Sequence, residues 1–305
     1  MGSGRRFVAE SVSKAPSAGG GDGRQAPMMS KRSSPNIAAP SSEPTRGAEI
    51  VMSRTDGRGQ RPAIGEPTVS NSGVHPLDQV IWRALTSCHR DVAEGDHLAL
   101  RYLAPIAPFA ATTDVSTASF QSLLTLLPAG DRIGLFTLEE MMPPSSFSVI
   151  ERGDIDQMVL VKMPSYAGSV PIVSLDASDV PDMLALVEAT HPGPFGPRTI
   201  ELGQYIGVRR QGMLVAMAGE RMRLDGFTEI SAVCVHPSCR GQGLAAELVS
   251  TLARSIASRA ETSFLHVFNS NRPAIELYRK LGFVLRRHMH LAVLARASSE
   301  SQRER

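Results

Sequence analysis

Cysteine is scarce in this chain of 305 residues: Cys88, Cys234 and Cys239 are all it has. Their spacing suits neither a metal knuckle nor a redox pair, and their number is odd. Free thiols in a reducing, cytoplasmic compartment are the expectation. The eight histidines include no H-E-x-x-H pattern, so no metal is expected. No apolar run reaches membrane-spanning length, and none near the start reads as a secretory signal, so no membrane partner is expected. Position 6 is Arg, where a myristoylation motif needs Ser or Thr. Basic and acidic residues nearly balance, 32 against 30, so no overall field draws the chain to nucleic acid. A G-x-x-x-x-G-K-[ST] loop is also missing, which removes P-loop chemistry.

What the chain does have is concentrated near its C-terminal end. Residues 229–236 alternate in the manner of a strand, with β-branched Val233 and Val235. Pro237 and Ser238 stop it. Arg240, Gly241, Gln242 and Gly243 follow, and from Leu244 and Ala245 onward the apolar residues at 244, 245, 248, 249, 252 and 256 form the stripe of an amphipathic helix. The free N–H groups and dipole of such a helix start favour anions, and glycine lets a phosphate approach the backbone. The stretch 241–246 also fits G-x-G-x-x-A, so a dinucleotide fold competes. Against it, 236–240 separate the strand from the first glycine, and Glu261 precedes the next strand, 264–268, instead of ending it.

A second constellation occupies 269–283. Asn271 or Arg272 starts a helix, Pro273 suits its first turn, and Gly282 stands where a left-handed terminal residue is wanted. Ala274, Leu277, Tyr278 and Leu281 share one face.

Together these stretches resemble the GNAT superfamily of acyl-CoA-dependent N-acetyltransferases. Arg240, Gly243 and Ala245 match its [RQ]-x-x-G-x-[GA] loop. Asn271, Ala274, Tyr278, Gly282 and Phe283 match N-x-x-A-x-x-x-Y-x-x-x-G-F. The resemblance spans roughly 172–295. It implies an α/β fold with a mixed, mostly antiparallel, splayed sheet flanked by helices. It implies acetyl-CoA as co-substrate and an amine as acceptor, either a small molecule or a protein terminus. By the same resemblance, the backbone of Val233, Cys234 and Val235 takes the pantetheine arm. Residues Arg240, Gly241, Gln242, Gly243, Leu244 and Ala245 take the phosphates, and Asn271 holds the pantetheine end.

Acyl transfer also needs an acid and a base. A phenol with a pKa of about 10 can protonate a departing thiolate, which gives Tyr278 the donor role. Some relatives carry an acid where this chain has His266, five residues before Asn271. His266 is therefore a candidate base, with Glu229 and Glu220 as rivals. Two other readings stay open: a module that binds acyl-CoA without turnover, and a nucleotide-dependent oxidoreductase.

Elsewhere, residues 1–74 read as a disordered tail rich in Gly, Ser, Pro and Arg. Residues 75–168 read as an N-terminal α/β subdomain, 169–297 as the transferase domain and 298–305 as a loose tail. In the N-terminal part the pattern predicts helices near 76–84, capped by Asp78, and 120–127. Strands are predicted at 132–137 and 157–161. The domain that follows opens with a strand at 170–175 and a helix from Val180 capped by Asp179. A three-stranded meander then turns at Gln211-Gly212 and Asp225-Gly226. By the same resemblance, Phe195 and Arg198, in the Pro/Gly loop after the helix, are candidate acceptor contacts.

Overall fold

The computed structural model describes residues 74–165, 168 and 170–298. The tails expected at 1–74 and 298–305 lie outside these residues, except for Val74 and Ser298. The chain opens with a 3-10 turn, Pro76–Gln79, running into α1 (Val80–Thr86). Its cap is His75, whose Nδ1 accepts from the Leu77 amide, and not the expected Asp78. Asp78 instead pairs with Arg286. Strands β1 (Ala93–Gly95), β2 (Ala99–Tyr102) and β3 (Ala110–Thr112) form a small antiparallel sheet. Then come α2 (Thr117–Thr125), β4 (Arg132–Thr137) and β5 (Phe147–Leu160).

The C-terminal half runs β6 (Val173–Leu175), α3 (Val180–Thr190), β7 (Tyr205–Arg210), β8 (Met213–Leu224), β9 (Phe227–Val235), α4 (Leu244–Ser258), β10 (Thr262–Phe268), α5 (Arg272–Lys280) and β11 (Phe283–Arg296). Capping of α3 differs from expectation. Asp176 makes a capping box with Asp179 over the 3-10 turn Ala177–Asp179, and Asp179 itself makes no side-chain cap on α3. The meander turns are as predicted, with Gln211, Gly212 and Gly226 at positive φ.

Eight strands form one sheet in the order β4-β11-β5-β10-β9-β8-β7-β6. Every neighbouring pair is antiparallel except β9 and β10. The boundary expected at 168/169 does not separate two sheets. β5 lies between β10 and β11, and the described residues of both parts belong to one compact unit. The sequence hides this because strand alternation reports which face is buried, never which partner pairs. Residues 157–161, read as a short strand, are the end of this 14-residue one.

The two sheet faces are covered differently. Leu244, Leu248, Val249, Leu252 and Ile256 of α4 and Ile275 and Tyr278 of α5 pack on one face. On the other, Leu77, Val80, Ile81, Leu85 and Phe109 from the N-terminal part pack against Phe264, Met289, Leu291 and Val293. Toward β7, α3 adds Met183 and Leu186 on Cys234 and Met217.

Candidate active site

Two local features open a gap in the sheet. First, β9 and β10 pair only over Phe227–Glu229 and Thr262–Phe264. Beyond that they part, although β10 keeps its partner β5 through Phe268. Second, β9 carries an extra residue. Met217 faces Cys234 and Gly219 faces Ser231, so two steps on β8 match three on β9. Ala232 sits in this bulge with φ 52°. One inserted residue inverts the side-chain parity. Ile230 before the bulge and Val233 and Val235 after it all reach the α4/α5 core. The uninterrupted alternation expected for 229–236 is therefore broken at Ala232, which no sequence signal announces. Past the bulge, the His236 amide bonds Val215 O on β8. By alternation the Val233 and Val235 backbone faces the gap.

The gap leads to the start of α4. Gly241 and Gly243 have φ of 76° and 77°, and Gly243 caps the helix with no side-chain bond. Among the described residues nothing accepts from the amides of Gly241, Gln242, Gly243, Leu244, Ala245 or Ala246. The arrangement is an anion cradle. Arg240 reaches back to Val235 O at 3.4 Å through Nε.

A cleft of ≈ 760 Å³ joins these parts. It is lined by Val233, Cys234, Val235, Arg240, Gly241, Gly243, Leu244, Ala245, Asn271, Tyr278 and His266, all expected site residues. Gln242 and Glu229 are not in its lining. Neither is Phe195, which is buried against Tyr205 with ring centroids 5.7 Å apart. Arg198 holds Glu201 at 2.6 Å. Their neighbours do line the cleft: Thr190 at the end of α3 and the loop residues His191 to Pro194.

Asn271 caps α5, its Oδ1 accepting from the Ala274 amide at 3.3 Å. The side-chain amide nitrogen makes no bond within the described residues and is free to donate. The Tyr278 hydroxyl likewise has no protein partner there. Burial pushes its pKa up to about 12, so the phenol keeps its proton at neutral pH. Cys234 points to the α3 side, away from Val233 and Val235, and burial pushes its thiol up to about 12. A thiol so protonated is no nucleophile.

Glu229 and His266 form a unit. Glu229 is fully buried and accepts from Arg221 Nε at 2.8 Å, Arg221 Nη2 at 2.5 Å and His266 Nδ1 at 2.7 Å. Burial alone would raise its pKa, but the Arg221 charge and the hydrogen bonds from Arg221 and His266 hold it down to about 2. Such a carboxylate, behind the cleft wall, positions His266 and takes no proton itself. The other ring nitrogen, Nε2, faces Gln157 Nε2 at 3.0 Å. Gln157 cannot turn over, because its NH2 also donates to Leu77 O at 2.9 Å and its Oε1 accepts from Arg286. His266 is thus oriented with Nδ1–H donating to Glu229 and Nε2 accepting from Gln157. Glu220, the other rival, is buried with Arg259 at 2.9 Å and lies outside the cleft lining.

Sequence reasoning missed Arg221, Gln157 and the aromatic residues Phe109, Phe136 and Phe268, which also border this region. Phe109 and Phe136 lie more than a hundred positions from Tyr278 and sit in no motif. Arg221 looks like any outward residue of a meander strand.

Residues 205–291 match the family model described as FR47-like protein. An acetyltransferase assigned to the GNAT family from Novosphingobium aromaticivorans is similar over 74% of this chain and 100% of its own, at 37% identity and a TM-score of 0.69. A GCN5-related N-acetyltransferase from Kribbella flavida shares the fold at 17% identity and a TM-score of 0.50, over 73% of this chain and 96% of its own. No curated protein matches the chain. The chain belongs to the GNAT family, and its mixed, mostly antiparallel, splayed sheet is the fold that family membership predicts. The dinucleotide alternative ends here, since the glycine turn follows an antiparallel meander and not a β-α-β unit. Among the described residues no helix is long and apolar enough to cross a membrane.

Proposed function

We propose that this chain is an N-acetyltransferase that moves acetyl from acetyl-CoA to an amine by direct attack, without a covalent enzyme intermediate. The observation that carries the reading is the continuity of one cleft from the unpaired amides at the start of α4, past the exposed backbone of β9, to the Tyr278 hydroxyl. Bound acetyl-CoA would supply the thioester. Gly241, Gly243, Leu244 and Ala245 would hold its phosphates, and Val233 and Val235 its amide-bearing arm. Tyr278, protonated at neutral pH, donates to the departing thiolate. The high pKa of Cys234 supports direct attack over a route through cysteine.

His266 is the proposed proton acceptor, because it lines the cleft and Glu229 does not. Taking a proton at Nε2 costs it the Gln157 bond, worth roughly 0.5–1.5 kcal/mol, while Glu229 steadies the resulting cation through Nδ1–H. That locked imidazole also favours the second reading, a module that binds acyl-CoA without turning it over. Thiol release from acetyl-CoA across an amine library decides between them. Turnover with at least one amine, falling about 10-fold or more in Tyr278→Phe while CoA affinity is kept, supports the transferase. CoA binding without thiol release from any amine supports the module. Unchanged turnover in Tyr278→Phe removes that residue from the chemistry.

A further inference from the structure

We propose that the mouth of the cleft opposite α4 and α5 takes a primary amine carried on an aromatic or bulky apolar body, in preference to lysine side chains and polyamines. The inference rests on the acyl-transfer reading and adds the class of acceptor. Its ground is the passage of the cleft through the sheet where β9 and β10 part. On one side the lining consists of Val233, Val235, Ala274, Leu277 and Tyr278, members of or neighbours to the α4/α5 core. On the other side stand Phe109, Phe136, Ile155, Phe268 and Leu291, which belong to the core covered by the N-terminal part.

These residues make an aromatic wall with apolar surface left to cover. The Phe109 and Phe136 rings lie 5.3 Å apart at 59°, and Phe136 lies 4.8 Å from the His266 ring. Phe268 lies on Gly153 so closely that a Cβ there would stand 2.7 Å from the ring. Phe136 and Phe268 are only half-buried, whereas Phe109, Ile155 and Leu291 are buried.

The polar groups point the same way. Among the described residues no Asp or Glu lines the cleft, while Arg221, Arg240 and Lys280 do. A second ammonium on the acceptor would lose its water with no carboxylate to replace it. Both nitrogens of His266 are engaged. Arg221 spends Nε and Nη2 on Glu229 with its guanidinium 4.8 Å from the centre of the Phe109 ring. Among the described residues its Nη1 makes no hydrogen bond, so it can meet an oxygen near the acceptor's amine. Residues 75–138 thereby gain a role: Phe109 and Phe136 come from them.

The test compares 2-phenylethylamine and tryptamine with methylamine, an Nα-acetyl-lysine amide and spermidine. Thiol release gives kcat/KM, and calorimetry on the CoA-saturated protein gives amine affinity whether or not turnover occurs. The aromatic amines should exceed the lysine amide and spermidine by ~10-fold or more. Phe136→Ala should remove most of that preference, lowering the aromatic amines by a larger factor than methylamine. Phe136→Leu, which keeps apolar volume and guards against misfolding, should fall between. A preference for spermidine or the lysine amide, or an equal loss for every amine in both variants, overturns the proposal. If CoA binds and no thiol is released, the acyl-transfer reading fails, and calorimetry still decides this one. Aromatic-amine binding that Phe136→Ala weakens sustains the subsite, and its absence overturns it.

Discussion

Replacing Glu229 by Gln should cost this protein a large part of its stability at neutral pH. The carboxylate is fully buried and accepts three N–H bonds, two from Arg221 and one from His266. Glutamine has one acceptor oxygen, and its NH2 would face a donor. Arg221, itself 9% exposed, would be left without a counter-ion. Breaking a buried pair on one side typically costs about 3–5 kcal/mol. The pH dependence gives a similar magnitude. The pKa of Glu229 falls from the ordinary 4.5 to about 2 on folding, which corresponds to roughly 3 kcal/mol. Because the folded value is the lower one, this stability is fully present above pH 4.5 and drains away as pH falls toward 2. Urea unfolding at pH 7 and across pH 5 to 2.5 checks both parts. Glu229→Gln should be less stable by about 3 kcal/mol at pH 7, and the wild type should lose its advantage as the pH drops. Adding Arg221→Met should recover part of the loss, since a buried pair replaced on both sides is closer to neutral. A Glu229→Gln protein within about 1 kcal/mol of wild type at pH 7 would refute this account of the pair.

Three further outcomes are expected. Gly243→Val should abolish CoA binding in calorimetry, because a β-branched residue at φ 77° is strained and its side chain crowds the amides proposed to hold the phosphates. Ala232→Gly should stabilise the protein slightly, by about 0.5 kcal/mol in urea, since Gly relieves a left-handed alanine but enlarges unfolded-state entropy. Iodoacetamide at pH 8 on the native protein should label Cys88 alone by peptide mass spectrometry. Cys88 is exposed, while Cys239 is buried and the Cys234 thiol holds its proton until about pH 12. Labelling of Cys234 at a rate near that of Cys88 would contradict its packing.

The parts of the fold legible in the sequence are those decided locally. The stripe of α4, the Pro273 and Gly282 boundaries of α5 and the two glycine turns of the meander depend on neighbouring residues, and the structure has them where the pattern puts them. Gly282 is required twice over. Its φ is 94°, and a Cβ there would stand 2.1 Å from Lys162 O. What the sequence conceals depends on distant partners. Nothing in 147–160 says that both neighbours of this strand come from the end of the chain. Nothing in Ala232 says that the parity of β9 changes there. The same division runs through the site. The anion cradle and Tyr278 sit in motifs, whereas the bond from Gln157 to His266 and the ring of Phe136 against it join segments more than a hundred positions apart.

The position of β5 also bears on how the chain acquires its shape during synthesis. Gln157 and Arg286, hydrogen-bonded in the finished sheet, are 129 positions apart. The strand leaves the ribosome long before either flanking partner and must wait with both edges unsatisfied. Non-local pairing of this kind slows folding and leaves apolar strand edges open to wrong partners. Nascent chains stalled before residue 262 should therefore lean on chaperones, and release of β10 and β11 should end that dependence.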